Sequence, residues 1–183
     1  MKGLAINPLT QSVEELDIEM KANTVYTFFS SILIDEIEAI NEHVIYSDAN
    51  ALSEKKKAYF IGEQLVLGNA LILGRFDFDD IDVKISKEEL TALISYEIND
   101  FYTRVLALLS STDINLYRTF EVEKNGEQIA LNTAWVLYTF NIADEKTKEY
   151  FVRELQKVLD AGKSVEEYMQ KMAQLAMNAA GGK

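Results

Sequence analysis

The densest run of side chains able to do chemistry is Asp77-Phe78-Asp79-Asp80-Ile81-Asp82, four carboxylates in six residues. Carboxylate oxygens suit hard cations such as Ca²⁺ and Mg²⁺. Laid on the calcium-binding loop of a helix–loop–helix hand, Asp77, Asp79 and Glu88 take positions 1, 3 and 12. Ile81 then stands where an oxygen ligand belongs, and Asp82 stands where a glycine makes the sharp turn. The run reads as a solvated acidic loop, with Asp77, Asp79, Asp80 and Asp82 available to a basic protein partner.

Other catalytic patterns fail on their own residues. There is no cysteine, which excludes disulfides, thiolate metal sites, Fe–S clusters and cysteine nucleophiles. One histidine, His43, excludes multi-histidine sites, and a carboxylate di-iron centre needs Glu-x-x-His twice where Ile40 precedes His43 by three. His43 is expected near a helix C-terminus, where an imidazolium suits the dipole. Gly162-Lys163-Ser164 resembles the end of a phosphate-binding loop. Lys157 replaces its first glycine, however, and a helix is expected where a strand should precede the loop. Neither a dinucleotide-binding glycine pattern nor a serine-nucleophile elbow occurs. No catalytic, cofactor-binding or metal-binding residue is assigned, no cofactor or small-molecule substrate is evident, and the chain is expected not to be an enzyme.

The last part of the chain holds a different kind of candidate. Val165, Tyr168, Met169 and Met172 recur at helical spacing in a segment opened by the capping-box pattern Ser164-Val165-Glu166-Glu167. Methionine adapts to irregular surfaces. This stripe can pack on its own core or dock on another subunit, and these four residues are taken as candidate partner-binding positions.

Charge narrows the partners. Thirty acids against 18 bases give −12 over 183 residues, which argues against direct nucleic-acid binding through phosphates. The excess is local, with nine acids against two bases in residues 1–52 and eight against two in residues 77–100. No apolar run has signal-peptide length or the roughly 20 residues of a membrane span. The expected location is the cytoplasm or a cytoplasmically assembled particle.

The elements that would position these groups read as mainly helical. Residues 1–11 form an extended arm, residues 12–178 a single helical domain opened by Ser12-Val13-Glu14-Glu15, and residues 179–183 a flexible tail. The spacing of Val25, Phe28, Phe29, Ile32, Leu33, Ile37, Ile40 and Val44 predicts one long helix over 25–45. Ser53 is expected to cap a central helix over 53–73, with Gly62 and Gly68 in close packing and Gly74 at its end. Periodicity alone leaves strands at 65–67 or 71–73 open. Residues 81–85 alternate like a short strand, and Ser86-Lys87-Glu88-Glu89 opens a helix to about 109. Asn125-Gly126 between alternating runs marks a hairpin near 116–131. Residues 134–140 suit a strand or a short helix, and Asp144 caps a helix to about 159. The fold class expected is mainly α (α+β), about five helices around one core with that one small antiparallel hairpin.

With 48% apolar residues the chain can bury a core without cross-links. An extended arm, a methionine-bearing terminal helix and the failed catalytic patterns lead to one expectation. The protein is a non-catalytic structural or adaptor subunit of a larger protein assembly, such as a viral or phage particle (a virion protein), pairing with other subunits or with itself. The alternative is a small acidic regulator or inhibitor that binds a basic protein surface.

Overall fold

The computed structural model describes residues 1–183 apart from residues 20, 22, 32, 38–41, 78 and 181–183. Of the described residues 37% are helical and 31% lie in strands, so the fold is mixed α/β and the mainly helical expectation is overturned. Antiparallel sheets of six and three strands stand where two of the expected helices were placed, and a third sheet of two strands is the expected hairpin. The chain forms two compact units, Met1–Ile98 and Asn99–Lys183, where the sequence reading placed one helical body over 12–178. Among the described residues no helix is long and apolar enough to cross a membrane.

The first unit runs β1 (Lys2–Asn7), β2 (Ser12–Asp17), α1 (Thr24–Phe29), β3 (Ile34–Ile37), β4 (His43–Asp48), β5 (Ala58–Ile61), β6 (Gln64–Leu67), β7 (Ala70–Phe76), β8 (Asp79–Ile81), α2 (Lys87–Leu93) and β9 (Ile94–Ser95). Its main sheet has the order β2-β1-β7-β4-β3, with β8 also on β7, and the smaller one the order β6-β5-β9. Residues 1–11, read as an extended arm, contain β1. β1 pairs with β2 over its whole length and with β7 on its other side. The Ser12 pattern read as a helix start lies in β2 instead.

The helix expected over 25–45 resolves into α1, β3 and β4, while Ile32 and Ile40 of its stripe lie outside the described residues. Ser30 and Glu42 take positive φ, 52° and 63°, which no helix continues through. The apolar spacing that mimics one helical face comes from three short elements in succession. Val44 and Tyr46 point to one side of the sheet with Leu71 and Leu73, and Val25, Phe28 and Phe29 of α1 pack against them. Ile45 and Ile72 are buried on the other side, as strand alternation requires.

The helix expected over 53–73 is likewise a strand region. β7 lies between β1 and β4, so a continuous apolar run suits it better than an alternating one. Gly62-Glu63 is the two-residue turn joining β5 to β6. Gly74 ends no helix. It sits inside β7 where an added Cβ would stand 2.3 Å from the Asp82 carbonyl oxygen, so only glycine lets this backbone approach. The Ser86 capping box does form: Ser86 Oγ accepts from Glu89 N, and the Glu89 carboxylate accepts from Ser86 N. Its helix stops at Leu93 rather than near 109.

The second unit runs α3 (Asp100–Leu109), β10 (Thr119–Lys124), β11 (Glu127–Asn132), α4 (Thr133–Asn141), α5 (Glu145–Asp160) and α6 (Val165–Ala180). The expected hairpin is present as β10–β11, turning at Asn125 and Gly126 with φ 54° and 84°, the doubly positive pair of a two-residue hairpin turn. Asn132 caps α4, which gives residues 134–140 a helix, and Asp144 caps α5. Phe151 is fully buried and meets Phe101, Phe140 and Tyr168 at ring separations of 4.6–5.9 Å, tying α3, α4, α5 and α6 together.

Candidate functional site

The four carboxylates of residues 77–82 do not converge, and Phe78 among them lies outside the described residues. Asp77 sits in a left-handed turn at φ 51° and Asp79 is exposed on β8. Asp80 lies opposite Arg75 and turns into the sheet, where both of its oxygens accept from Tyr46 Oη at 2.9 Å and one accepts from Arg75 Nε at 3.2 Å. Arg75 Nη2 also donates to Tyr46 Oη at 2.7 Å and to Glu36 at 3.3 Å. Asp82 accepts the backbone N–H of Lys2 at 3.0 Å. Two of the four are thus fastened to the fold and two face water. Among the described residues no group of three or more potential ligands could hold a metal ion.

The Tyr46–Asp80–Arg75 triad is the main polar feature of that sheet face. Burial and the Asp80 carboxylate together push the Tyr46 hydroxyl well above its ordinary pKa. Burial works against the Arg75 charge, but Tyr46, Glu36 and Asp80 outweigh it and raise its pKa. Both groups are locked in the protonation state they already hold at neutral pH.

His43 lies in β4 rather than at a helix C-terminus, and it is 4% exposed. Its Nε2 accepts the backbone N–H groups of Lys84 and Ile85 at 3.0 and 3.1 Å. That geometry needs a lone pair on Nε2. The ring fastens the segment after β8 to the main sheet, a role that spacing in the sequence could not reveal.

Sequence reasoning also missed Asp35. In β3 it lies opposite Ser47. Burial, and then the nearby Asp48 carboxylate, push its pKa up to about 6.

The terminal helix is where the structure is most specific. Tyr168, Met169 and Met172 are 8%, 0% and 5% exposed, and Val165 is half-buried. Their face packs on α4, α5 and β10 of the same unit, and Tyr168 Oη donates to the Phe151 carbonyl at 3.0 Å. The four candidate partner positions on α6 are therefore brought together, but inside their own unit. Beside them Gln170 donates to the Glu121 carbonyl, and Gln174 both donates to the Glu123 carbonyl and accepts from its N–H. The only signal for this in the sequence is two glutamines four apart along the stripe.

Comparison with protein-family models, with curated proteins and with solved structures finds no match. An open depression of about 510 Å³ beside α1 is lined by Asn23, Tyr26, Thr27, Ser30 and Ser31, which pair no acid with a base. Another of about 390 Å³ lies at the start of α6, where Arg118 is paired to Glu166. Lys163 there follows α5, so the phosphate-loop likeness has a helix where the strand belongs.

Proposed function

We propose that this chain is a non-catalytic structural or adaptor subunit of a larger protein assembly. The observation that carries the reading is how its chemistry-bearing groups are employed. His43 holds two backbone N–H groups, Asp80 holds Tyr46 and Arg75, Asp82 holds β1, and Tyr168 holds α5. Each is consumed in fastening one element to another. Large apolar side chains meanwhile stand in solvent on both units, Leu9, Leu33 and Phe76 on the first and Ile142 and Leu175 on the second, each at least half exposed. An assembly subunit needs such a rigid frame with apolar contact points. The α6 stripe is not among those points, since its own unit covers it.

Light scattering at low and high salt tests this. A mass that is a multiple of 20.8 kDa and resists salt supports the subunit. A monomer at both salt concentrations that binds no protein overturns it.

A second reading, an acidic regulator of a basic protein, is favoured by one observation. Glu14, Glu15, Asp17 and Glu19 are all exposed along and just after β2. Capture of the monomer on immobilised polylysine only below about 0.1 M salt, where screening is weak, would favour it.

A further inference from the structure

The two strands of the second unit's hairpin are finished differently at their outer edges. On β10 the N–H and C=O of Glu123 point away from β11, since both bond to the Gln174 side chain, and the Glu121 carbonyl bonds to Gln170. Glu123 is opposite Gln128 and Glu121 is opposite Ala130. In an antiparallel ladder a residue facing a partner in a non-hydrogen-bonded pair shares its outward direction. The N–H and C=O groups of Gln128 and Ala130 therefore point outward on the far edge of β11. Among the described residues nothing bonds them, and both residues are exposed.

Exposed strand edges are normally blunted by lysine, proline, a bulge or a covering element. β10 is covered by the two glutamines. From Gln128 to Asn132, β11 has no charge, no proline and no glycine. The edge strands of the first unit's main sheet carry acids instead, Glu14, Glu15 and Asp17 on β2 and Asp35 and Glu36 on β3. Pairing either with its own copy would bring carboxylates of a chain at −12 close together. The β11 edge is free of that repulsion.

We propose that a second copy of this chain pairs with β11, edge to edge and antiparallel about a two-fold axis at Ile129. This rests on the assembly reading and names its partner and surface. In that register Gln128 faces Ala130 of the other copy, twice, and the outward groups of both are satisfied by four hydrogen bonds. Half-buried Ile129 meets its own copy at the non-hydrogen-bonded centre, where opposing side chains come closest. Glu127 faces Leu131, so no like charges oppose. Two hairpins become one four-stranded sheet, closed by symmetry and unable to grow into a filament, because the glutamines of α6 occupy both new outer edges.

A contact of one strand is small, so it belongs with weak and transient interfaces. The full chain is expected to rise towards twice 20.8 kDa in sedimentation equilibrium between about 10 μM and about 1 mM. The double substitution Gln128→Lys with Ala130→Lys sets lysines opposite each other between copies. Within one copy it sets them opposite Glu123 and Glu121, so the hairpin itself keeps its fold. This variant is expected to stay monomeric throughout with an unchanged circular dichroism spectrum. Amide exchange supplies a test without mutation: Gln128 and Ala130 should slow at the high concentration while Glu123 does not change. A wild-type oligomer that the double variant leaves intact, or unchanged exchange at Gln128 and Ala130, overturns the β11 pairing and leaves the assembly reading standing. A wild-type monomer across the whole series overturns the pairing. If that monomer also binds no protein, the assembly reading falls with it.

Discussion

The Gln174 side-chain amide sits against Glu123 as the backbone of a further strand would, Oε1 accepting its N–H at 3.1 Å and Nε2 donating to its carbonyl at 2.9 Å. With Gln170 on the Glu121 carbonyl, α6 thereby closes the edge of a sheet with two side chains. Replacing Gln174 by alanine frees both groups. The loss expected is about 1–2 kcal/mol, the worth of one or two neutral hydrogen bonds. Urea unfolding of the variant checks this. A midpoint equal to wild type would mean that water replaces the amide at no cost.

Deleting the chain after Gly162 removes Tyr168, Met169 and Met172 from the core of the second unit. Each apolar side chain of that size contributes roughly 1.5–3 kcal/mol when fully buried. The unit's own stability cannot exceed a typical total of about 5–15 kcal/mol. The expected outcome is loss of the cooperative thermal transition of residues 99–162, read by calorimetry. An unchanged melting curve would return α6 to the role of a docking helix.

His43→Phe keeps the size of the ring but leaves the N–H groups of Lys84 and Ile85 without their acceptor. For such part-buried donors the loss is about 1 kcal/mol, the worth of a typical hydrogen bond. The variant should unfold at lower urea, and the amides of Lys84 and Ile85 should exchange faster. Unchanged exchange at these two positions would show that the ring is not what holds them.

Asp35 has a folded-state pKa of about 6 against an ordinary 3.8, through burial and then Asp48. A carboxyl whose pKa is raised on folding favours the folded state while it is protonated. That advantage is complete below 3.8 and is lost as pH rises to about 6. Asp35→Asn, neutral at every pH, should stabilise the protein at pH near 7.5. The gain should be on the order of 2 kcal/mol after allowing for partial exposure. It should vanish near pH 3.5, where Asp35 is already protonated. Equal gains at both pH values would assign the effect to something other than ionisation.

Millimolar Ca²⁺ or Mg²⁺ should leave the melting temperature within a degree of its metal-free value, because the carboxylates of residues 77–82 diverge. A cation at 100 times its dissociation constant would stabilise by about 2.7 kcal/mol, a readily visible shift. A rise of several degrees would restore a metal site to that loop.

Signals that act within a few residues were legible in the sequence. Asn125-Gly126 dictates its hairpin because few residue pairs tolerate two positive φ angles in succession. Ser86 with Glu89, and Asp144 before α5, are caps whose donors and acceptors lie within one turn. Charge, the lack of cysteine and the failed motif spacings follow from composition alone.

Tertiary structure alone decided what depends on neighbours distant in the chain. The stripe over 25–45 fits a helical period, yet Ile34, Ile37, Val44 and Ile45 pair as strands because β7, some thirty residues later, supplies the ladder for β4. Where several short elements follow each other, apolar spacing of three or four arises without a helix, and only pairing partners decide. The same holds for the candidate site. Asp80, His43 and Gln174 acquire their roles from residues 34, 41 and 51 positions away. Their side chains carry the chemistry, but which backbone or hydroxyl they meet is set by the packing of sheets and helices that no local spacing encodes.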